Sequence, residues 1–243
     1  MLNSVVLKLF LLFCFIYTIG CGKKNDKVDS QSDQTTNLIK KDSLTGKDKV
    51  QLKYILNKGD KFSYKMTAKT STVENSPATE GKDVKQDNEI NYFYSKEVSD
   101  IDQSGIITFK AKYDSILISA KMNDRDVKYN SNVNDTVRNN PAFIQYNAVI
   151  NEHFYLRVSP EGEITDVYGL EKIYDNLFKA LGDTLNEDEK QTIKDSFGKE
   201  SIKEILQQEL QVFPKKEIFV DSSWQRSYNT SVLFFEVVNN AMY

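Results

Sequence analysis

The stretch ITFKAKYDSILISAKM, residues 107–122, changes phase in its middle. Ile107, Phe109, Ala111 and Tyr113 alternate with polar neighbours at odd positions, whereas Ile116, Ile118, Ala120 and Met122 do so at even positions. Successive side chains of a strand point to opposite faces, so a one-residue slip would turn the second set to solvent. One strand can bury both sets only if it is bulged or bent between them. The spacing therefore predicts a β-bulge near Asp114-Ser115. Bulged strands bend, and long bent strands curl a sheet.

Other segments carry the same period of two. Val50, Leu52, Tyr54 and Leu56 precede the turn Asn57-Lys58-Gly59-Asp60, and Phe62, Tyr64, Met66 and Ala68 follow it, which predicts a hairpin. Ser71 to Asp87 reads as a loop, and Ile90, Tyr92 and Tyr94 as the next strand, turning at Asp102-Gln103-Ser104-Gly105. A hairpin at Asn123-Asp124-Arg125 leads to Val127 and Tyr129, an Asn-rich loop spans 130–140, and Pro141 to Ile150 form a short helical turn. His153 to Val158 and Glu163 to Tyr168 pair across Ser159-Pro160-Glu161-Gly162.

The period then lengthens. Leu170, Ile173, Tyr174, Leu177, Phe178 and Leu181 lie on one face of a helix ending at Gly182. Asn186 with Glu189 and Ser201 with Glu204 are capping pairs that open a second and a third helix. Ile202, Ile205, Leu206, Leu210 and Phe213 form the apolar face of the third, which Pro214 stops. Strands return around Trp224 to Tyr228 and Val232 to Val238. The order strands, helices, strands predicts an α+β domain: a curved antiparallel sheet, half-barrel-like, with two or three helices packed on one face.

At the other end, LKLFLLFCFIYTIGCGKKND runs from apolar to charged across Cys21. Lys8 and the terminal amine followed by an apolar run of signal-peptide length form a secretory signal over residues 1–20. The run meets Lys23 and Lys24 too soon to span a bilayer. Gly20 directly before Cys21 resembles the lipobox of bacterial lipoproteins, although Thr18 stands where Leu is usual. That resemblance implies cleavage between Gly20 and Cys21 and acylation of the Cys21 thiol. Two or more chains hold a protein on a membrane stably, each buried methylene adding about 0.8 kcal/mol. Cys14 leaves with the signal, so the folded part contains no free thiol, and disulfides, cysteine nucleophiles and thiolate metal sites are excluded.

Residues 21–48 carry the lipidated cysteine and a polar stretch without aromatics, read as a flexible tether. Residues 49–243 read as one α+β domain. Residues 1–20 hold one lysine and no acid, so the formal charge of −3 becomes −4 once they leave. A mildly acidic chain without a basic block argues against nucleic acid.

Three stretches, LNKGDKFSYKM, YLRVSPEGEITDVYGLEKI and FPKKEIFVDSSW, resemble in this order a family of uncharacterised bacterial envelope lipoproteins. Its late motif runs Pro, three residues, Val, one residue, Val-Gly-Asp-Ser-Trp. Pro214, Ile218, Val220, Ser223 and Trp224 match that spacing, with Asp221 at the glycine and Ser222 at the acid. The resemblance implies an extracytoplasmic lipoprotein and no assigned activity. Its relatives continue with further strands, so the chain reads as C-terminally truncated. The alternative is a terminal strand paired within the sheet.

His153 is the single histidine, which deprives triads and most zinc sites of their usual parts. It reads as a partly exposed strand residue. Glu187-Asp188-Glu189 reads as an acidic first helical turn, and the acids and amides around Asp124 lack the spacing of a calcium loop. No catalytic residue, metal or cofactor is assigned. The aromatics Tyr64, Tyr92, Tyr94, Phe109, Tyr113, Tyr174 and Phe178 line either a filled core or the face of an apolar ligand site between sheet and helices. The expected function is that of a non-enzymatic structural or partner-binding lipoprotein of the cell envelope. It would be held by lipid on Cys21 to a membrane facing the periplasm or the exterior. The alternative is a carrier or sensor of a lipid or other apolar ligand.

Overall fold

A computed structural model describes residues 39–75, 81, 83–122, 125–133, 140, 143–182, 185–196, 198–232 and 235–243. The signal segment, Gly20, Cys21, most of the tether and the Asn123-Asp124 turn lie outside them. The central sheet contains β3 (Lys61–Glu74), β4 (Val84–Ile101), β5 (Ile107–Met122), β7 (His153–Val158) and β8 (Ile164–Tyr168) in that order, with β6 (Arg125–Asn130) also on β5. All its strand pairs are antiparallel. Four short helices are described: α1 (Ile144–Val149), α2 (Glu171–Leu181), α3 (Glu187–Ser196) and α4 (Lys199–Gln207). Among the described residues no sheet closes into a barrel.

The bulge lies where the phase change demands it. Ser115 faces Phe93 and Tyr113 faces Tyr94, so Asp114 is the extra residue. Ile116 and Ile118 on one side of it and Phe109 and Ala111 on the other are all buried. The same point forks the sheet. Residues 107–112 of β5 pair with β7, and residues 117–122 pair with β6 on the same side. At the fork Ser131 Oγ accepts from Ile116 N (2.9 Å), and Asn151 N donates to Tyr113 O (2.9 Å). Two smaller bulges follow one pattern. Ser99 and Thr165 are the extra residues, and each hydroxyl donates to a carbonyl of the facing strand, Thr108 O (3.0 Å) and Arg157 O (3.1 Å).

The core lies on the helix side and has two sectors. Phe109, Ala111, Phe154, Leu156, Val158, Ile164 and Val167 pack against Leu170, Ile173 and Leu206, which places α2 and α4 over β5, β7 and β8. Ile90, Ile116, Ile118 and Tyr129 pack against Phe143, Tyr146 and Ile150, which places α1 over the fork. Ile193 of α3 meets Ala148 and Leu177 instead, joining the helices to one another.

Several expectations are corrected. Residues 51–57 form no strand against β3. The segment keeps its alternation, with Leu52, Tyr54 and Leu56 turned inward, but Tyr54 N donates to Pro160 O across the domain. The Asn57–Asp60 turn survives because Asp60 accepts from Asn57 N (2.7 Å) and Gly59 adopts φ +93°, a left-handed conformation that glycine enters freely. Its backbone joins Val98 rather than a preceding strand. The loop expected over 71–87 is shortened, because β3 runs to Glu74 and β4 begins at Val84. There Ser71 donates to Asp87 (2.6 Å) and Thr67 to Asn91 (2.7 Å) across the ladder. Residues 39–48, read above as the end of the tether, contribute β1 (Ile39–Lys41) and the start of β2 (Asp48–Val50), paired with each other and with β9 (Ile218–Phe219). Asp42 organises their turn, accepting from Thr45 N and Thr45 Oγ1 (2.8 Å each) and pairing with Lys49.

Asn186 and Glu189 cap α3 reciprocally (2.9 Å each way), as the sequence predicts. Helix α4 begins two residues before Ser201 and ends at Gln207, so Leu210 and Phe213 pack from the chain beyond it. β10 (Gln225–Val232) and β11 (Phe235–Met242) form a separate hairpin. Asp221, read above as standing where the motif has glycine, has φ +67° and supports a turn that Ser222 N closes on Phe219 O. Short acidic or amide side chains tolerate that region better than most.

Fully burying an isoleucine is worth about 1.5–3 kcal/mol. Turning Ile116 and Ile118 outward would therefore forfeit about 3–6 kcal/mol, a large part of a typical domain's stability. Deleting Asp114 is accordingly expected to abolish cooperative unfolding, whereas Asp114→Ala, which keeps the count, should cost less than about 1 kcal/mol. Urea denaturation followed by far-UV circular dichroism distinguishes the two.

Candidate functional site

The even-numbered side chains of β3 and β4 and the odd-numbered ones of β5 before the bulge share the helix-side face. The face brings five of the seven expected aromatics together. Tyr64 stacks on Tyr94 at a centroid distance of 5.0 Å, and Tyr94 and Tyr92 each meet Tyr113 at 5.9 Å. Phe62 links Tyr64 to Phe109 at 6.4 Å. The other two lie apart from this row and stack on each other at 6.4 Å. Tyr174 packs on the β7–β8 sector, while Phe178 belongs to the helix cluster, with Lys194 Nζ 5.8 Å from its ring. These distances are those of rings packed on one another.

Within this row lies a residue that the sequence reading passed over. Lys96 follows Tyr94 in the inward phase of β4, and its side chain is only 4% exposed. Its Nζ lies 5.2 Å from the Tyr64 ring centroid, 5.3 Å from that of Tyr94, and 2.8 Å from Glu209 Oε2. Glu209 is 9% exposed, and its other oxygen, Oε1, is buried without a hydrogen-bond partner. A cation on an apolar strand phase, Ile90-Tyr92-Tyr94-Lys96-Val98, was the available signal. Its acidic partner, 113 residues away, had none.

The end of α4 and the chain after it bring Glu209 there. Leu206 is buried beneath the helix, and Gln207 clamps the β7–β8 turn, its Oε1 accepting from Ile164 N (2.7 Å) and its Nε2 donating to Gly162 O (3.0 Å). Phe213 N donates to Glu161 O (2.8 Å), and Tyr54 Oη donates to Gln211 O (3.2 Å). Gly162 sits under this junction at φ +94°, where a Cβ would overlap the Gln211 carbonyl and lie 2.6 Å from the Tyr54 ring. Only glycine meets both demands.

Burial, and next the Glu209 carboxylate, push the Tyr94 phenol well above its ordinary range and raise that of Tyr64. Burial raises Tyr54 as well. These groups fit a site that holds neutral phenols around one paired cation. His153 stands exposed at the start of β7, its pKa lowered by burial and by Lys110 and Lys112. Among the described residues, no group of three His, Cys, Asp or Glu side chains is placed to hold a metal. None of the described helices is long and apolar enough to cross a membrane.

Two open grooves lie elsewhere. One of about 580 Å³ is bordered by Asp166, Tyr168, Tyr174, Lys194, Lys199 and Glu200. Another of about 300 Å³ lies beside Leu117, Tyr129 and Val133. Neither is lined by Tyr64, Tyr92, Tyr94, Phe109 or Tyr113.

Removing one partner of a buried ion pair leaves an uncompensated charge and costs about 3–5 kcal/mol, whereas replacing both with apolar groups of similar volume is often neutral. Lys96→Ala should therefore lower stability by about 3–5 kcal/mol, and Lys96→Met with Glu209→Leu should recover most of it, measured by urea denaturation. The raised phenols also set an alkaline limit. A group with a higher pKa in the folded state contributes stability that is complete below its unfolded value, near 10 for tyrosine, and lost as pH rises beyond it. Unfolding should begin above about pH 10, with phenolate absorbance appearing together with loss of structure, and Tyr94→Phe should move the transition to higher pH.

No curated protein and no solved structure matches the chain. One family does match, over residues 104–242, more than half of the 243-residue chain. The match includes the YLRVSPEGEITDVYGLEKI and FPKKEIFVDSSW stretches and begins after LNKGDKFSYKM. The chain belongs to a family of unknown function, DUF6263.

Proposed function

We propose that this protein is a lipoprotein of the bacterial cell envelope, cut before Cys21 and anchored by lipid on that residue. Its folded domain is a non-enzymatic module that binds a protein partner outside the cytoplasm. The anchor rests on the order of charge, apolar run, Gly20 and Cys21, and on the likeness to envelope lipoproteins. The absence of thiols and the single histidine of the mature chain support a role without catalysis.

One observation carries the choice between partner binding and ligand carriage. The aromatics of the sheet pack on one another and on Lys96, at centroid distances of 5.0–6.4 Å, with Tyr64 at the rim left partly open. A face packed in this way serves as core, and the bent sheet is read as a half-barrel filled by its own side chains. The surface available for recognition is then the outside of the domain and its strand edges.

Two measurements test the proposal. Metabolic labelling with a fatty acid should mark the wild-type chain and not Cys21→Ala, and an unlabelled wild type would remove the anchor. Native mass spectrometry of the mature domain should give the mass of the polypeptide alone. A retained lipid released on denaturation would favour the carrier instead.

A further inference from the structure

Resting on the partner-binding reading, we propose that β3 is the docking edge and that its partner is an extended polypeptide segment alternating acidic and apolar residues. The segment adds to the sheet as a further antiparallel or parallel strand.

β3 ends the strand order of the central sheet and pairs only with β4 among the described residues. It is 14 residues long, an edge of roughly 45 Å at the usual rise per residue. Its register with β4 runs from Lys61↔Glu97 to Glu74↔Val84 without a shift, so no bulge interrupts the edge, and the strand contains no proline. Bulges, prolines and short length are common ways of disabling an edge. At the opposite end of the sheet β8 has both a bulge and a length of five residues. Only charge guards β3.

That charge selects the partner. Lys61, Lys65 and Lys69 recur every fourth residue on the outer face and are exposed. Lys61 and Lys69 reach Glu97 (3.5 Å) and Glu89 (2.9 Å), and Lys65 Nζ lies 5.6 Å from the Phe93 ring. With side chains 70–72% exposed, the two ion-paired lysines keep ammonium groups open to a second carboxylate. A second copy of β3, paired in phase over its full length, would bring lysines opposite or diagonal to lysines, which is repulsive. An incoming strand with Glu or Asp at every fourth position meets all three. The alternate face carries Phe62, Tyr64, Met66 and Ala68, with Tyr64 41% exposed at the rim. Apolar residues of the new strand would cover that rim, backbone pairing would supply the affinity, and the two faces would supply the selection.

The test titrates the purified full chain with a synthetic peptide alternating Glu and Val. Three controls accompany it: the Lys/Val counterpart, the Glu/Val peptide N-methylated at alternate amides in each phase, and the variant Lys61→Gln/Lys65→Gln/Lys69→Gln. The Glu/Val peptide should bind with salt-dependent affinity, weakened roughly tenfold by the triple variant. Lys/Val should not bind, and one phase of N-methylation should abolish binding. If the triple variant fails to fold, as judged by circular dichroism, Lys65→Glu, which lies opposite Phe93 rather than an acid, serves instead. Equal binding by wild type and variant, or undiminished binding of both N-methylated peptides, would overturn the assignment. Photo-crosslinkers at Ser63 and Thr67 of the anchored protein separate the two levels. Silent β3 positions with crosslinks elsewhere would overturn the edge and leave the proposed function standing. No crosslink from any surface position would remove both.

Discussion

The extra residue at Asp114 is the constraint on which the domain turns. β5 runs through both core sectors, and its two halves would present opposite faces if the ladder ran unbroken. With Asp114 set aside, Ile116 and Ile118 fall on the same side as Phe109 and Ala111, and both core sectors lie on one face of the sheet. The bend also ends one neighbour and begins another, so that β6 and β7 occupy the same flank of β5 at different heights. α1 and the residues flanking it then lie over the fork and close the second sector with Phe143, Tyr146 and Ile150.

The phase change could be read directly because period-two alternation survives any tertiary context that buries one face. The helix α2 and the Asn186–Glu189 cap were legible for similar reasons, since their signals lie within one or two turns of chain. The pairing of residues 50–56 was not. Their alternation correctly turned Tyr54 and Leu56 inward, but alternation does not say what the backbone hydrogen-bonds to, and here it meets Pro160 rather than β3. The β3–β4 loop was overestimated because Ser, Thr and Asn read as loop residues, while here their side chains bind across the ladder. Helix α4 ended before its apolar pattern did, since Leu210 reaches the core and Phe213 meets Tyr54 and Trp224 from a non-helical connection.

The buried Lys96–Glu209 pair illustrates the part that a single sequence withholds. A buried ion pair adds little net stability over apolar residues of equal volume. What it supplies here is position. The carboxylate follows the clamped end of α4, and the ammonium lies among stacked phenols, so Glu209 fits at one place on the sheet. The aromatic row expected to form one face gains a charged centre and thereby the character of a core. The outward lysines of β3 then stand out as the features that the interior does not use.

The fold depends on the register of β5, which cross-strand NMR contacts between backbone protons of β4 and β5 would read. The structure predicts Tyr94 opposite Tyr113 and Phe93 opposite Ser115, with Asp114 facing no residue of β4. A single uninterrupted register through Asp114 would contradict the shared helix-covered face and the fold built on it.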